Sequence, residues 1–345
     1  MAEEATGPSV SLRGTMPEWS EVERTAEDAG LSKLQAAEQG HLSEETLQLQ
    51  RALVRPNPRL GKLEPALARG TATRTLCTQR CATRFAQRYS QAQLLNLGCG
   101  LDSLSLLCLP FFARCVDVDF PAVASERADR LCSSSAASAS LSGAPDYASN
   151  ANVLWRDEHS RYTLLSNDLS SERSLSEELL PELDTSLPTL VVLECVLVYM
   201  DNERADSLLC WLSRTLKHSE SAVLLYDMVL SSLGDNSERY LDRGRDQFGV
   251  TMEANLQRRG LTLHALKSIQ EHTQRMERCG WCAAKSVDML TAYKHLLTSE
   301  ERKRSEKAEP LDEQEEFNLL MQHYCLVVAS YNQVVVAEEM LACLR

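Results

Sequence analysis

Two short stretches hold the residues best placed to do chemistry. In Leu94-Leu95-Asn96-Leu97-Gly98-Cys99-Gly100-Leu101-Asp102 an apolar run ends at a pair of glycines. In Val116-Asp117-Val118-Asp119-Phe120-Pro121 a second run ends at an acid, nineteen residues after Gly100. Glycine where a strand turns into a helix lets the backbone bend sharply and a ligand come close. A carboxylate at the end of the next strand can accept hydrogen bonds from both hydroxyls of a ribose. Taken singly, each is also what a tight turn or a surface acid looks like. Together, in the first two strands of an α/β pattern, Gly98, Gly100 and Asp119 point to a nucleoside. A dinucleotide fits poorly, because its pyrophosphate asks for a third glycine where this chain has Ser103, and for a helix start free of anions where it has Asp102. A ligand with ribose and adenine but no phosphate fits better. S-adenosylmethionine is such a ligand, and methyl transfer is its chemistry.

Two further acids close strands on the same sheet edge, where doubly wound sheets bind ligands. Asp168, in Asn167-Asp168-Leu169, fits either a helix-cap acid or an acceptor for an adenine amino group. Glu194 sits inside the apolar run Leu190–Met200, where an acid is costly without a partner, and could face a cationic ligand. The pair Cys279-Gly280-Trp281-Cys282 has redox or half-zinc spacing. It follows a helical segment instead of opening one, and no second pair completes a zinc site. The expectation is that Gly280 ends a helix, that both cysteines are packing residues, and that no metal is bound.

The elements that must position these residues alternate. Strands are expected at 93–97, 114–119, 162–167, 189–196, 222–228 and 283–288. Helices are expected at 101–109, from Pro121 to about Leu131, and at 202–216, 245–259, 261–278 and 299–316. A closing hairpin is expected from Tyr324–Tyr331 and Gln333–Ala337. Strands apolar on both faces, with helices between them, mean a mostly parallel, doubly wound sheet. Before it, residues 31–53 read as helices broken near Gly40. Residues 1–30 carry seven acids against two bases and read as a mobile tail, as does the small-residue loop Cys132–Gly143. Residues 51–90 hold nine bases against Glu64 alone, which suits a solvated helix face, a nucleic-acid patch or a site that receives carboxylates.

Composition narrows the function. Of 345 residues, 43% are hydrophobic and 25% charged, the balance of a globular chain with a real core. The formal net charge of −13 argues against broad nucleic-acid or anionic-membrane binding. Neither a bilayer-spanning apolar run nor a secretory leader is visible, so the twelve cysteines are expected to be reduced and the protein cytoplasmic.

Asn-Leu-Gly-Cys-Gly-Leu-Asp (96–102), Val-Asp-Phe-Pro (118–121), Leu-Glu-Cys-Val-Leu-Val-Tyr-Met (193–200), Phe-Gly-Val-Thr-Met-Glu-Ala-Asn-Leu (248–256) and His-Tyr-Cys-Leu-Val-Val-Ala-Ser (323–330), in this order, resemble the leucine carboxyl methyltransferases. The resemblance runs from about Ser32 to Ser330. It implies the Rossmann-like fold of class I S-adenosylmethionine-dependent methyltransferases, with a mostly parallel seven-stranded sheet. A helical N-terminal cap would span residues 31–90 and the methyltransferase domain 91–345, with a helical lid at about 230–265. It implies that S-adenosylmethionine is the cofactor, held by Lys33, Arg74, Gly98, Asp119, Asp168, Leu169 and Glu194. It also implies that Tyr199 and the segment Phe248–Met252 line a peptide pocket, and that the acceptor is the C-terminal leucine carboxylate of the phosphatase 2A catalytic subunit.

The chain departs from its relatives in Arg69-Gly70-Thr71-Ala72-Thr73-Arg74, where they carry two aromatics, and at Ser170, where they carry Arg. The chemistry agrees with the resemblance: a terminal carboxylate has a pKa near 3.5, so it attacks a methyl sulfonium without a general base. Arg74, with a planar fork suited to carboxylates, is the expected catalytic residue together with Tyr199. A monomer that binds neither nucleic acid nor membrane is expected. Two alternatives remain. One is the sister group that methylates a hypermodified tRNA guanosine, which usually carries a C-terminal β-propeller, whereas this chain ends fifteen residues after its last matching motif. The other is a non-catalytic binding module on the same scaffold.

Overall fold

The computed structural model describes residues 20–341 apart from 58–60, 136–140, 142–151, 158, 160, 219, 230–245 and 332–333. Most of the small-residue loop, the tail before residue 20 and the first part of the expected lid therefore lie outside the described residues. Three helices precede the sheet: α1 (Glu21–Glu38), α2 (Glu44–Leu53) and α3 (Pro65–Arg88). Then follow β1 (Gln93–Leu97), α4 (Leu104–Cys108), β2 (Arg114–Asp119), α5 (Pro121–Ser133), β3 (Val153–Arg156), β4 (Tyr162–Ser166), β5 (Thr189–Glu194), α6 (Asn202–Thr215) and β6 (Ala222–Met228). The C-terminal part holds α7 (Gln247–Arg258), α8 (Ile269–Arg278), β7 (Ala283–Asp288), α9 (Met289–His295), α10 (Ser299–Ala308), α11 (Gln314–Gln322), β8 (Tyr324–Ser330) and α12 (Val334–Met340).

The strands form one sheet of eight, in the order β3-β4-β2-β1-β5-β6-β8-β7. From β4 to β6 they run parallel; β3, β8 and β7 each pair antiparallel with their neighbours. Seven of these match the expected sheet, and the eighth is the edge strand β3, whose four residues carry too short a pattern to be read alone. Successive side chains of β5 enter opposite cores: Leu190 and Val192 join the cluster beneath α3, α4 and α5, while Val191 and Leu193 join that beneath α6 and α8. The order reverses between β1 and β5, and the crevice at the carboxyl ends there is where such sheets hold ligands.

Several expectations are corrected. Helix α1 begins at Glu21, not near Leu31, because Ser20 and Glu23 form a capping box. The acids of residues 21–28 thus belong to the cap. No hairpin closes the chain: both edges of β8 are already paired, by β6 and β7, and the valine-rich segment after it is helix α12, with Val336, Ala337 and Met340 buried. Residues 261–267 are not helical, since Leu261, His264 and Ala265 place their N–H groups on Leu256 and Val198; α8 starts only at Ile269, opened by the Ser268–Glu271 capping box. The charged stretch at 299–316 splits into α10 and α11 around Pro310.

Gly280 does end α8, in the left-handed region at φ 94°, with Ser213 Oγ only 2.9 Å from where a Cβ would sit. Cys279 is buried, and burial pushes its thiol pKa up, but Cys282 is exposed, so only the first is a packing residue.

Five bases of the basic segment are engaged by the C-terminal helices. Arg80 grips Glu301 with both oxygens at 2.6 Å, Arg88 meets Glu339 at 2.6 Å and Lys62 meets Glu309 at 2.7 Å. Arg69 donates to the Glu309 carbonyl at 2.6 Å and Arg84 to that of Met340 at 2.9 Å. These arginines and Lys62 fasten the N-terminal cap to α10 and α12.

One buried ion pair organises the ligand edge. Arg127 of α5 and Asp117 of β2 meet at 2.6 Å with both side chains wholly buried. Replacing Arg127 with Met should strand the Asp117 charge and lower stability by about 3–5 kcal/mol. Arg88→Ala, which opens an exposed pair, should lower it by less than about 1 kcal/mol. Urea denaturation midpoints of the two variants check the contrast.

Candidate functional site

The carboxyl ends of β1, β2, β4, β5 and β6 open into one cleft of about 820 Å³. Its floor is the glycine turn after β1. Gly98 lies at φ 69°, and a Cβ there would come within 2.4 Å of Val196, so the turn requires glycine. Gly98 and Cys99 both donate to the Val118 carbonyl, at 2.8 and 3.1 Å, which lays the turn against β2. Beneath it, Arg127 Nη1 donates to the carbonyls of Gly100 and Asp102 at 3.0 and 2.7 Å. Its Nε donates to Tyr162 Oη at 3.1 Å, and that hydroxyl and Ser105 Oγ both donate to Asp117.

Asp119, at the end of β2, accepts from Gly100 N at 2.6 Å and from Phe120 N at 2.8 Å. Burial nonetheless raises its pKa to about 6, against the two backbone donors and the more distant Arg127 that lower it. The carboxylate is thus held rigidly with acceptor capacity left over. Leu169 borders the same end of the cleft, and so does exposed Asp168, which accepts from Ser170 N at 2.9 Å. Phe120 lines it too and is 38% exposed, a free aromatic face beside the acid.

At the other end Glu194 and Arg74 face each other, Nε to Oε2 3.7 Å. Burial drives the Glu194 pKa up and Arg74 draws it down; burial wins. For Arg74 burial opposes the charge, but Glu194, Tyr226 and Asp102 outweigh it, so the guanidinium stays charged. It lies 5.9 Å over the Tyr226 ring, which stacks on Tyr324 at 5.3 Å. Among the described residues, the buried Arg74 Nε has no hydrogen-bond acceptor. That Nε faces Glu194, and a guanidinium fork on a cleft wall suits an incoming carboxylate. Tyr199 lines this part, and burial raises the pKa of its phenol, which stays a neutral donor. The residue joining Glu194 to this wall, Cys195, takes φ 51°, an uncommon conformation for a side chain other than glycine.

The structure therefore brings Arg74, Gly98, Asp119, Asp168, Leu169, Glu194 and Tyr199 to one cleft. Lys33 is different. It is buried behind the wall and its Nζ meets Asp102 Oδ1 at 2.8 Å, so it holds the glycine turn instead of lining the cleft. Asp102, read as an anion repelling phosphate, is the partner of that lysine and accepts from Leu104 N. Phe248 and Met252 do not line the cleft either: Phe248 packs on His323, and Met252 on the cluster of Val198, Met228 and Leu263. From α7 and its C-terminal end the wall is Leu256, Arg259 and Leu261. The sequence reading missed Asp117, Arg127, Tyr162 and Gln50, whose amide donates to the Leu101 carbonyl at 2.8 Å. For Asp117 a signal existed, since an acid inside an apolar strand needs a partner.

Asp119 also sets a pH dependence in the ligand-free protein. Its folded pKa, about 6, lies above the unfolded value near 4, so the folded state holds the proton more tightly. Its contribution to stability is complete below pH 4 and is lost as pH rises through 6, by up to about 3 kcal/mol. Asp227, pushed up to about 7 by burial, adds in the same direction. Asp119→Asn should flatten the fall between pH 4 and 6 relative to wild type, as measured by urea unfolding across that range.

Comparison with known proteins follows the same line. The sequence pattern of the family described as leucine carboxyl methyltransferase matches residues 20–213, more than half of the chain. Leucine carboxyl methyltransferase 1 of Bos taurus is 30% identical over 326 residues, covering 90% of this chain and 89% of that protein. The tRNA wybutosine-synthesizing protein 4 of Homo sapiens is 30% identical over 323 residues, covering 90% of this chain but 44% of its own length. The chain thus spans less than half of that relative. A putative methyltransferase from Thermobifida fusca shares the fold, with a TM-score of 0.54 at 14% identity, over 94% of this chain and all of that one. Among the described residues no helix is long and apolar enough to cross a membrane. A glycine turn, a strand-end acid and a buried arginine on one class I sheet edge, and a family pattern spanning all three, make this chain a member of the leucine carboxyl methyltransferase family, with S-adenosylmethionine as methyl donor.

Proposed function

We propose that this chain esterifies the α-carboxylate of a C-terminal leucine, with the phosphatase 2A catalytic subunit as substrate. The observation that carries this reading is Arg74: a half-buried, permanently charged fork facing Glu194 at the cleft wall, next to an apolar wall of Tyr199, Met228, Leu256 and Tyr324. An α-carboxylate beside a branched apolar side chain matches both halves.

Asp119 would hold the ribose hydroxyls of the cofactor, with Asp168 and Phe120 at the adenine and Glu194 and Arg74 at the amino-acid end. Bound S-adenosylmethionine supplies an electrophilic methyl group on a cationic sulfur. Arg74 and the Tyr199 hydroxyl orient the acceptor carboxylate, which is ionised at neutral pH and needs no base. The rate gain then comes from alignment of carboxylate oxygen, methyl carbon and sulfur. The pairing of the 51–90 bases with acids and carbonyls of the C-terminal helices supports a protein acceptor over a tRNA, whose binding needs free cations.

Asp119→Ala should weaken S-adenosylmethionine binding at least about tenfold in calorimetry, since it removes charge-assisted acceptors. Wild-type affinity should also fall as pH drops from 7 to 5, because a protonated carboxyl gives up an acceptor site. Function is decided by incubation with methyl-labelled S-adenosylmethionine and folded phosphatase 2A catalytic subunit. Label should enter the subunit, leave as methanol in mild alkali, and vanish when the terminal leucine is deleted. Arg74→Ala should slow transfer by about two orders of magnitude, and Arg74→Lys should restore little of it. Label on tRNA instead would move the assignment to the wybutosine branch of the family.

A further inference from the structure

Helix α7 reaches the cleft through Leu256, and among the described residues little holds it. Gly249 is its one buried residue; Phe248, Met252 and Leu256 are half-buried, and most of the rest is exposed. Its placement therefore depends on its ends. At the C-terminal end Arg259 meets Asp28 of α1 in an exposed ion pair, a contact of small worth. The N-terminal end is built differently. Asp246, the N-cap, accepts from Gly249 N at 2.8 Å and also from His323 Nε2 at 2.9 Å. The Phe248 ring lies on the imidazole, centroids 4.7 Å apart.

His323 is buried, with its side chain 1% exposed, and its Nδ1 faces the Leu319 carbonyl at 2.8 Å; with an acceptor at each ring nitrogen, donating to both makes the ring an imidazolium paired with Asp246. Its own carbonyl accepts from Val229 N, so it closes the ladder between β6 and β8. The next residue, Tyr324, stacks on the ring under Arg74. One dipeptide thus ties α7 to the carboxylate end of the site.

We propose that His323 is a positioning residue for methyl transfer: its hydrogen bond to Asp246 sets α7 over the acceptor half of the cleft and leaves the cofactor half untouched. The inference rests on the cleft being a carboxylate methyl-transfer site, and its test separates the two. An asparagine amide reaches the position of Nδ1 and a glutamine amide that of Nε2, so His323→Gln keeps the donor to Asp246 and His323→Asn loses it. In the full chain, His323→Asn should raise the KM for the phosphatase subunit about tenfold with kcat changed less, while His323→Gln stays within about threefold of wild type. Both should bind S-adenosylmethionine in calorimetry as wild type does. Amides of 247–258 should exchange hydrogen faster in His323→Asn alone, with those of β8 unchanged.

Because His323 is buried, Asp246→Ser provides a second route: serine still caps the helix but is too short to reach the imidazole. It should reproduce the KM rise and the faster α7 exchange. Wild-type KM and α7 exchange in both His323→Asn and Asp246→Ser would overturn the inference. Should wild type label no phosphatase subunit, the proposed function fails, and exchange of 247–258 alone decides the role of His323.

Discussion

The pairing of Arg127 with Asp117 fixes almost everything that makes the sheet edge a site. Buried ion pairs are weak sources of net stability, because desolvation offsets most of their attraction. What they supply is geometry, and here one guanidinium reaches four places at once. It joins β2 through Asp117, β4 through Tyr162, and the glycine turn through two carbonyls. With the Gly100 and Asp102 carbonyls held from below, the Gly100 N–H points at Asp119 and the Asp102 carboxylate points at Lys33 of α1. The sheet, the cap and the cofactor acid are thereby referenced to one buried charge.

The same logic of charge at fixed positions runs through the cleft. Burial raises the pKa of Asp119 and of Glu194, so keeping them ionised works against folding, and Arg74 sits in a place where its charge is held by acids around it. In the proposed reaction ligand groups complete this arrangement: hydroxyls at Asp119 and a carboxylate at Arg74. A reaction whose nucleophile arrives already ionised has little use for a proton shuttle and much for rigid, desolvated partners. Preorganisation of this kind is the physical content of the match between the site and methyl transfer.

How much of this was legible in the sequence depends on how local each signal is. The glycine turn, the acid at Asp119 and the parallel core strands are written in runs of five to nine residues, and they appear where they were expected. Two kinds of feature escaped. Strand or helix identity failed where pairing partners decide it: Val334–Met340 has a β-branched pattern, but β8 has no free edge to offer it. Site roles failed where a side chain acts through another. Lys33 was expected at the cofactor itself and Gln50 looks like an ordinary helix residue until the glycine turn packs against them, and Arg127 is one of two arginines in α5 until Asp117 lies beneath it.

The basic segment shows why a count of charge is a poor guide to a surface. Nine bases against one acid left a solvated face, a nucleic-acid patch or a carboxylate site open, and the five of them on α3 do several things. Arg69 and Arg80 are eleven residues apart, about three turns, so they share a side of α3 and both turn toward α10. Arg74 is five residues from Arg69, about 140° farther round, and that rotation takes it off the side that binds α10 and into the cleft. The arginines that tie α3 to the C-terminal helices therefore also fix the position from which Arg74 reaches Glu194. The contacts that join the cap to the C-terminal helices and the approach of Arg74 to Glu194 are consequences of one helix and its 3.6-residue period.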